Sequence, residues 1–328
     1  MDKQNAEESL GNAQFSPKLL LFIHSGALLA MTLVSALISY LLQTGVKTGG
    51  GLDAMNSQAM LAAIQEMLLL AQAAVTPFWT VGLLGAAVGI ARGNRVGPKD
   101  LAGGFRKIGP VLSSGLMIGL QYLSRIFVSA FLSAQLFTFT PMGVKIYSTY
   151  KGLENATTME DLQAILGGDY LPMLGTMFAT FLVVLALLLA PAIYRYRMTS
   201  YLIMDEQERG GLRAMFTSRM LMQGNGWELG KLDLSFWWYY LLLMLGSVLA
   251  MGNQILPMVG VQLPMSETAA YWLFMLLGVA VQLLVKTLAG PKVEVTYAHR
   301  YLDYLERWKE KSQTGNPQPV NPFQPINL

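Results

Sequence analysis

The chain has no cysteine, which removes disulfide frameworks, thiolate metal sites and thiol nucleophiles in one step. Histidine is nearly as scarce, and His24 and His299 stand too far apart in sequence to suggest a histidine-based metal cluster. Charge is short as well. Only 13% of the 328 residues are charged, against 53% hydrophobic, and that is too little polar material to cover a water-soluble globule of this size. Enzyme signatures are missing too: the sequence contains no His-Glu-x-x-His, nucleophile elbow, phosphate-cradling Walker loop or dinucleotide fingerprint. Gly82, Gly85 and Gly89 fall inside an apolar run and read as helix-packing glycines. Nothing in the sequence asks for a metal or another cofactor.

What is present in quantity is apolar sequence. Six runs are long enough to cross roughly 30 Å of hydrocarbon at about 1.5 Å per helical residue. They lie near Leu19 to Leu42, Met60 to Ala91, Pro110 to Phe139, Met173 to Tyr194, Leu234 to Ile255 and Ala270 to Leu288. The second contains Glu66 and Pro77, so a tilt or a proline kink is expected there. The 20 methionines read as unbranched fillers between helices, with a methionine-lined copper or hydrophobic-substrate path as the alternative. No short apolar region with a small-residue cleavage site precedes the first run, so residues 1-18 are expected to be an uncleaved tail.

The basic residues orient these runs. Lys3 and Lys18 precede the first; Arg92, Arg95, Lys99, Arg106 and Lys107 follow the second; Arg195, Arg197, Arg209, Arg213, Arg219 and Lys231 follow the fourth; Lys292, Arg300, Arg307, Lys309 and Lys311 follow the sixth. These eighteen share one side, against Lys47, Lys145 and Lys151 on the other, with Arg125 and Lys286 inside runs. The positive-inside bias then puts both termini in the cytoplasm. Anionic lipid headgroups account for the basic clustering, and no nucleic-acid partner is needed.

The expected fold is all-α: a six-transmembrane-helix bundle with cytoplasmic interfacial amphipathic helices. Its parts are a cytoplasmic tail (1-18), a single membrane domain (19-292), a cytoplasmic amphipathic helix (293-310) and a flexible tail (311-328). Three inner segments carry the amphipathic pattern: Leu101, Phe105 and Ile108; Leu212, Met215, Phe216, Met220 and Met222; and Val293, Tyr297, Tyr301, Leu305 and Trp308. Each either lies along the inner membrane face or packs on the ends of the bundle. Gly49-Gly50-Gly51 reads as a flexible link, and a short surface helix is expected from Thr158 to Ile165. The loop around that helix is read as a solvated cap or as a recognition element.

Two sets of residues stand out as candidate sites. Arg125, with Gln121 one turn before it, is the costliest residue to place in a bilayer and should face the bundle interior or a wet cavity. Glu66 is its expected partner in an ion pair; binding of an anionic lipid and a proton or ion path are the other readings. Lys286 is read as snorkelling to the nearer face, and His24 as a hydrogen-bonded structural histidine. The second set lies on the crossing from Pro191 to Trp238: Tyr201, Asp205, Ser218, Arg219, Gly224, Trp227, Asp233 and Ser235. Asp233 is expected to cap the fifth helix, with Trp227, Trp237 and Trp238 as aromatic anchors near the headgroups.

The crossing also carries a resemblance. Pro191-Ala-Ile-Tyr-Arg-Tyr-Arg-Met-Thr-Ser-Tyr-Leu-Ile-Met-Asp205, Ser218-Arg-Met-Leu-Met-Gln-Gly-Asn-Gly-Trp227, Leu232-Asp-Leu-Ser-Phe-Trp-Trp238 and Pro291-Lys-Val-Glu-Val-Thr-Tyr-Ala-His-Arg-Tyr301 resemble the motifs of the DUF975 family, bacterial polytopic membrane proteins found mainly in Gram-positive organisms. Val88 to Arg95 and Asp100 to Phe105 resemble its first-half pattern. The chain departs from the family at Ala192, at Asn225-Gly226, at Lys292 where tyrosine is usual and at Arg300 where phenylalanine is usual. The resemblance implies a multi-pass protein of the cytoplasmic membrane and supplies no catalytic residues.

Three function classes follow. The first is a membrane accessory or scaffold protein associated with an export or envelope system, touching membrane lipids and a membrane-protein partner or a second copy of itself. The second is a transporter or permease-like subunit for a lipid, peptide or other amphipathic solute, its polar cavity lined by Arg125, Glu66 and Gln121. The third, a lipid-modifying membrane enzyme, has interfacial acids in Asp205 and Asp233 but no acid-base or metal set to pair them with.

Overall fold

The computed structural model describes residues 2–13, 15–46, 52–149, 158, 165–258, 261 and 264–313, and every described regular element is helical. The helices are α1 (Asp2–Gly11), α2 (Pro17–Val46), α3 (Leu52–Ala91), α4 (Gly103–Arg106), α5 (Ile108–Phe137), α6 (Pro141–Thr149), α7 (Tyr170–Tyr196), α8 (Thr199–Met204), α9 (Gly211–Leu221), α10 (Gly226–Ser235), α11 (Trp237–Ala250), α12 (Gly252–Met258), α13 (Glu267–Leu288) and α14 (Gly290–Gln313). Among the described residues, five segments are long and apolar enough to cross a membrane: Pro17–Ile38, Ala62–Ala91, Ile108–Phe137, Gly167–Met204 and Thr268–Leu288. A sixth crossing exists if α10 and α11, bent by 62° at Phe236, count as one. The protein is therefore an all-α, multi-pass membrane protein. The glycine link at 49–51 and most of the surface helix expected at 158–165 lie outside the described residues.

Local chemistry explains where several helices begin and why they persist. Pro17 opens α2, where its missing N–H is lost at no cost. Ser266 caps α13, its hydroxyl accepting from the Ala269 N–H at 3.3 Å. Pro77 lies within α3 without ending it. Beside it Thr76 bonds back to the Gln72 carbonyl at 2.7 Å, and the Gln72 side chain reaches Thr32 of α2 at 2.9 Å.

The fifth span differs from the expected Leu234 to Ile255. The chain leaves helical geometry at Phe236 and again at Met251, so α11 has only 14 residues, about 21 Å of rise. Asp233 does not cap it: Phe236 holds that position, with no side-chain cap bond, and Asp233 lies inside α10. Its carboxylate instead accepts from Tyr297.

The chain divides into two compact units, 1–114 with 198–328, and 115–197. In the first, the long helices α2, α3, α13 and α14 are joined by the shorter α11, which meets α13 closely. A Cβ on Gly246 would stand 2.7 Å from the Gln282 side chain, and Gly278 faces the Gly246 carbonyl and Ala250 equally tightly. Small residues thus let two apolar helices touch backbone to backbone. Gln282 also donates to Ser247 at 3.2 Å, so the polar neighbour of Lys286 is engaged across the helix pair.

The segment after α3 corrects one expectation. Pro98–Ala102 forms a short 3-10 turn followed by the single turn of α4, rather than an amphipathic surface helix. Leu101 is fully buried in a cluster with Leu83, Ala86, Ile90, Leu20 and Leu21. The turn seats because Gly82 leaves room for the Leu101 carbonyl and Gly104 for that of Phe78.

The first unit closes with α14. Its residues Val293, Val295, Tyr297, Ala298, Tyr301, Tyr304 and Leu305 are buried, so of the two readings for this segment it takes the packed one. α1 lies along it: Ala6 is fully buried, Glu7 pairs with Lys292, and Ser9 bonds His299 at 2.9 Å. His24 is buried and stacked on Trp79, with ring centroids 6.0 Å apart. Its carbonyl accepts from the Trp79 indole at 3.1 Å, but its Nε2 has no hydrogen-bond partner among the described residues, contrary to the hydrogen-bonded side chain expected.

In the second unit the residues after α5 fold back as α6. Thr140 bonds the Gly143 N–H at 3.1 Å, and Phe137, Ile146, Leu166 and Met173 form a small core. A salt bridge of 2.7 Å from Lys145 to Asp169 sits beside it.

Candidate functional site

Positions 297, 301 and 304 are spaced i, i+4 and i+7, so three tyrosines share one face of α14. All three are buried, and a buried phenol without a partner is costly. Each has one. Tyr297 donates to the Asp233 carboxylate of α10 and, its proton thus committed, accepts from the Tyr240 hydroxyl of α11 at 3.0 Å. Tyr301 donates to Asp205 Oδ2 at 2.9 Å. Tyr304 reaches the Asn225 carbonyl at 3.4 Å. The helix thereby lies across the near ends of several other elements and ties them together.

Asp205 is the densest point of this junction. Its side chain is 2% exposed, while that of its partner Arg92 is 38% exposed. The guanidinium forks onto the carboxylate, with Nη2 at 2.8 Å from Oδ2. Tyr201, one turn before Asp205, stacks on Tyr301 with centroids 5.3 Å apart and planes at 20°. The next residue, Glu206, takes a left-handed conformation with φ of 55° and pairs with Lys107 at 2.7 Å. That conformation costs roughly 1–2 kcal/mol in a non-glycine residue, and it ends α8 so that Asp205 is held against Arg92.

Electrostatics keep these donors in place. Burial, reinforced by the Asp205 charge, pushes the Tyr301 phenol well above its ordinary range. Burial likewise pushes Tyr304 up to about 12, against the opposing pull of Arg300. Both tyrosines remain neutral hydrogen-bond donors across the physiological range.

The other residues of the crossing divide by role. Ser218 is fully buried and Arg219 exposed at the last turn of α9. Gly224 makes the turn into α10 with φ of 85°. Trp227 is exposed, with the Lys231 ammonium 5.8 Å from its ring centroid. Trp237 and Trp238 are exposed as well. Ser235 presents its carbonyl to Lys3 of α1 at 3.2 Å, and the same ammonium stands 4.4 Å from the Phe236 ring centroid. Of the sequence candidates, Tyr201, Asp205 and Asp233 converge on α14. Of the partners that complete the junction, Tyr297 and Tyr301 stand in the sequence only as an apolar track, Arg92 and Lys3 only as basic flanking residues, and Tyr304 carries no sequence signal. Two carboxylates flanked by apolar sequence were the available signal, since buried acids require donors.

Arg125 and Gln121 belong to the second unit. Both are half-buried, and Arg125 Nη1 donates to the Gln121 carbonyl at 2.9 Å and to Oε1 of its side chain at 3.1 Å. Tyr122 lies within electrostatic reach of Arg125, Tyr196 and Arg197. Glu66 belongs to the first unit, exposed on α3.

An all-α chain with up to six membrane crossings and a packed polar junction defines a multi-pass helical membrane protein. The chain belongs to the family described as Protein of unknown function (DUF975), whose model matches residues 3–303. No curated protein and no solved structure matches it.

Proposed function

We propose that the protein is an accessory or scaffold protein of the bacterial cytoplasmic membrane, with both termini inside, serving an export or envelope system by presenting a fixed docking platform. The observation that carries this reading is α14 fastened by three buried tyrosines to Asp233, Asp205 and Asn225. A fully paired network of this kind rigidifies what it joins, and it leaves no acid-base pair poised for chemistry. The platform faces inward on the eighteen-to-three bias of basic residues. Its occupant is a membrane-protein partner or a second copy of the chain.

The permease reading draws on Arg125 as the lining of a polar passage. The hydrogen bonds of that guanidinium run to Gln121 on its own helix, an arrangement a structural arginine shares. We therefore rank it second.

The cysteine-free background makes orientation directly testable. Cysteines placed singly at Arg95, Ser312 and Ser148, all exposed, are treated with an impermeant maleimide in intact cells. Labelling of Ser148→Cys alone is the expected result, with the other two reacting only after permeabilisation. Labelling of Ser312→Cys in intact cells reverses the topology. Cross-linking from Ser312→Cys in native membranes then tests the scaffold role, and recovery of the uncross-linked monomer alone counts against it.

A further inference from the structure

Between α1 and α14, at the end of α3, the first unit holds an open groove of about 740 Å³ that shares Arg92 with the junction above. That volume suits a small molecule or a headgroup. Its walls carry four cationic side chains, Arg92, Arg300, Arg307 and Lys309, with the Asn5 amide on the α1 side. Its acids are Asp303 and Glu306.

The balance of charge inside the groove follows from how these groups are paired. Asp303 is already engaged, 2.9 Å from Arg307 and 3.5 Å from Arg300. Asp205, which pairs with Arg92, is itself buried, so that pair turns its cation outward and its anion inward. Lys309 is exposed and has no ion-pair partner among the described residues. Glu228 of α10 meets Arg300 at 3.4 Å and Arg307 at 3.5 Å, so those two guanidiniums are already partly engaged; of the acids lining the groove, Glu306 is then the one left to oppose the outward-facing Arg92 and Lys309. Forked guanidiniums beside an ammonium suit the tetrahedral oxygens of phosphate.

Position adds a second argument. Ala91 lines the groove and is the last residue of the span Ala62–Ala91, so the mouth opens where hydrocarbon gives way to headgroups. Basic pockets at this level are suited to anionic lipid headgroups.

We propose that this groove is a binding site for a phosphate-bearing anion, with Arg92, Arg307 and Lys309 as its contacts. The phosphate comes from an anionic lipid headgroup or from a soluble phosphorylated molecule, and the site operates whether or not a partner protein docks on the platform.

The full chain, reconstituted in nanodiscs of phosphatidylcholine, is titrated with inorganic pyrophosphate for the soluble source. For the lipid source, nanodiscs containing phosphatidylglycerol at rising fraction are followed by native mass spectrometry of retained lipid. Each arm is repeated with Lys309→Gln and with Arg307→Gln plus Lys309→Gln, exposed changes that leave the buried tyrosines untouched. The proposal expects saturable binding in at least one arm, weakened about ten-fold or more by the double variant. Saturation with pyrophosphate alone identifies a soluble ligand, and retention of phosphatidylglycerol alone identifies a headgroup. No binding in either arm, or binding that both variants leave unchanged, overturns the proposal.

Discussion

Replacing Tyr301 by phenylalanine removes one oxygen from the centre of the junction and leaves the ring stacked on Tyr201. The lost bond joins a buried phenol to a carboxylate that is 2% exposed. Hydrogen bonds to charged groups contribute about 1.5–3 kcal/mol, and the shielding of Asp205 places this one inside that range. Arg92 remains on Asp205, so the cost stays below the roughly 3–5 kcal/mol of stranding a buried charge. The change is read by denaturant titration in micelles, with limited trypsin cleavage at Arg307 reporting release of α14. A high-pH series supplies an independent check. The Tyr301 phenol is raised above its ordinary value of 10.0, so the folded state prefers the neutral form. Stability is then fully present below pH 10 and falls as pH rises from there toward the folded value, because the unfolded chain loses its phenol proton first. Each such tyrosine contributes a slope of about 1.4 kcal/mol per pH unit in that window, and Tyr301→Phe should remove one of them. A variant within about 0.5 kcal/mol of the parent chain, with an unaltered alkaline slope, would refute the claim that this bond fastens α14.

Two other positions carry sharp expectations. Gly104→Ala and Gly82→Ala each drive a methyl group into a backbone carbonyl, of Phe78 and Leu101 respectively, and should destabilise by about 1–3 kcal/mol in the same titration. Gly26→Ala is the control, because its Cβ meets nothing within 4 Å and the change should be neutral or slightly stabilising. At Gly224, with φ of 85°, alanine should cost roughly 1 kcal/mol while asparagine is better tolerated; equal stability of the two variants would remove the left-handed turn from the account.

The membrane spans were legible in the sequence because a bilayer demands long apolar runs, and that demand is nearly local. Four of the six expected runs agree with the observed spans to within a few residues; the helix after Asp169 extends beyond the expected one at both ends and carries Pro191 inside it. The fifth was misread for a reason that hydropathy cannot carry. The break at Phe236 is accompanied by Asp233 turning to Tyr297, a contact spanning 64 positions. The same limit hid Arg92, which looked like one more basic loop residue until Asp205 closed on it from 113 positions away. Tyr297 and Tyr301 were visible as members of an apolar track but not as donors, since periodicity reports which face is buried and not what the hydroxyls meet. The close approaches at Gly82 and Gly85 were foreseeable as packing glycines. Their partners, Leu101 and Met204, were not.

The departures from the family pattern gain a physical meaning from these contacts. Lys292, at one of the positions where the sequence departs from the motif it resembles, pairs with Glu7 of α1. Arg300, at another such position, lies 5.8 Å from the Tyr304 ring centroid while meeting Glu228 of α10 at 3.4 Å. Neither change touches the tyrosine bonds to Asp233 and Asp205, which rest on motif positions. The Lys292 pair with Glu7 is solvent-exposed and contributes little to stability. Arg300 lines the proposed phosphate groove, so Arg300→Phe should keep the Tyr301 bond to Asp205 but weaken phosphate binding in the nanodisc titration.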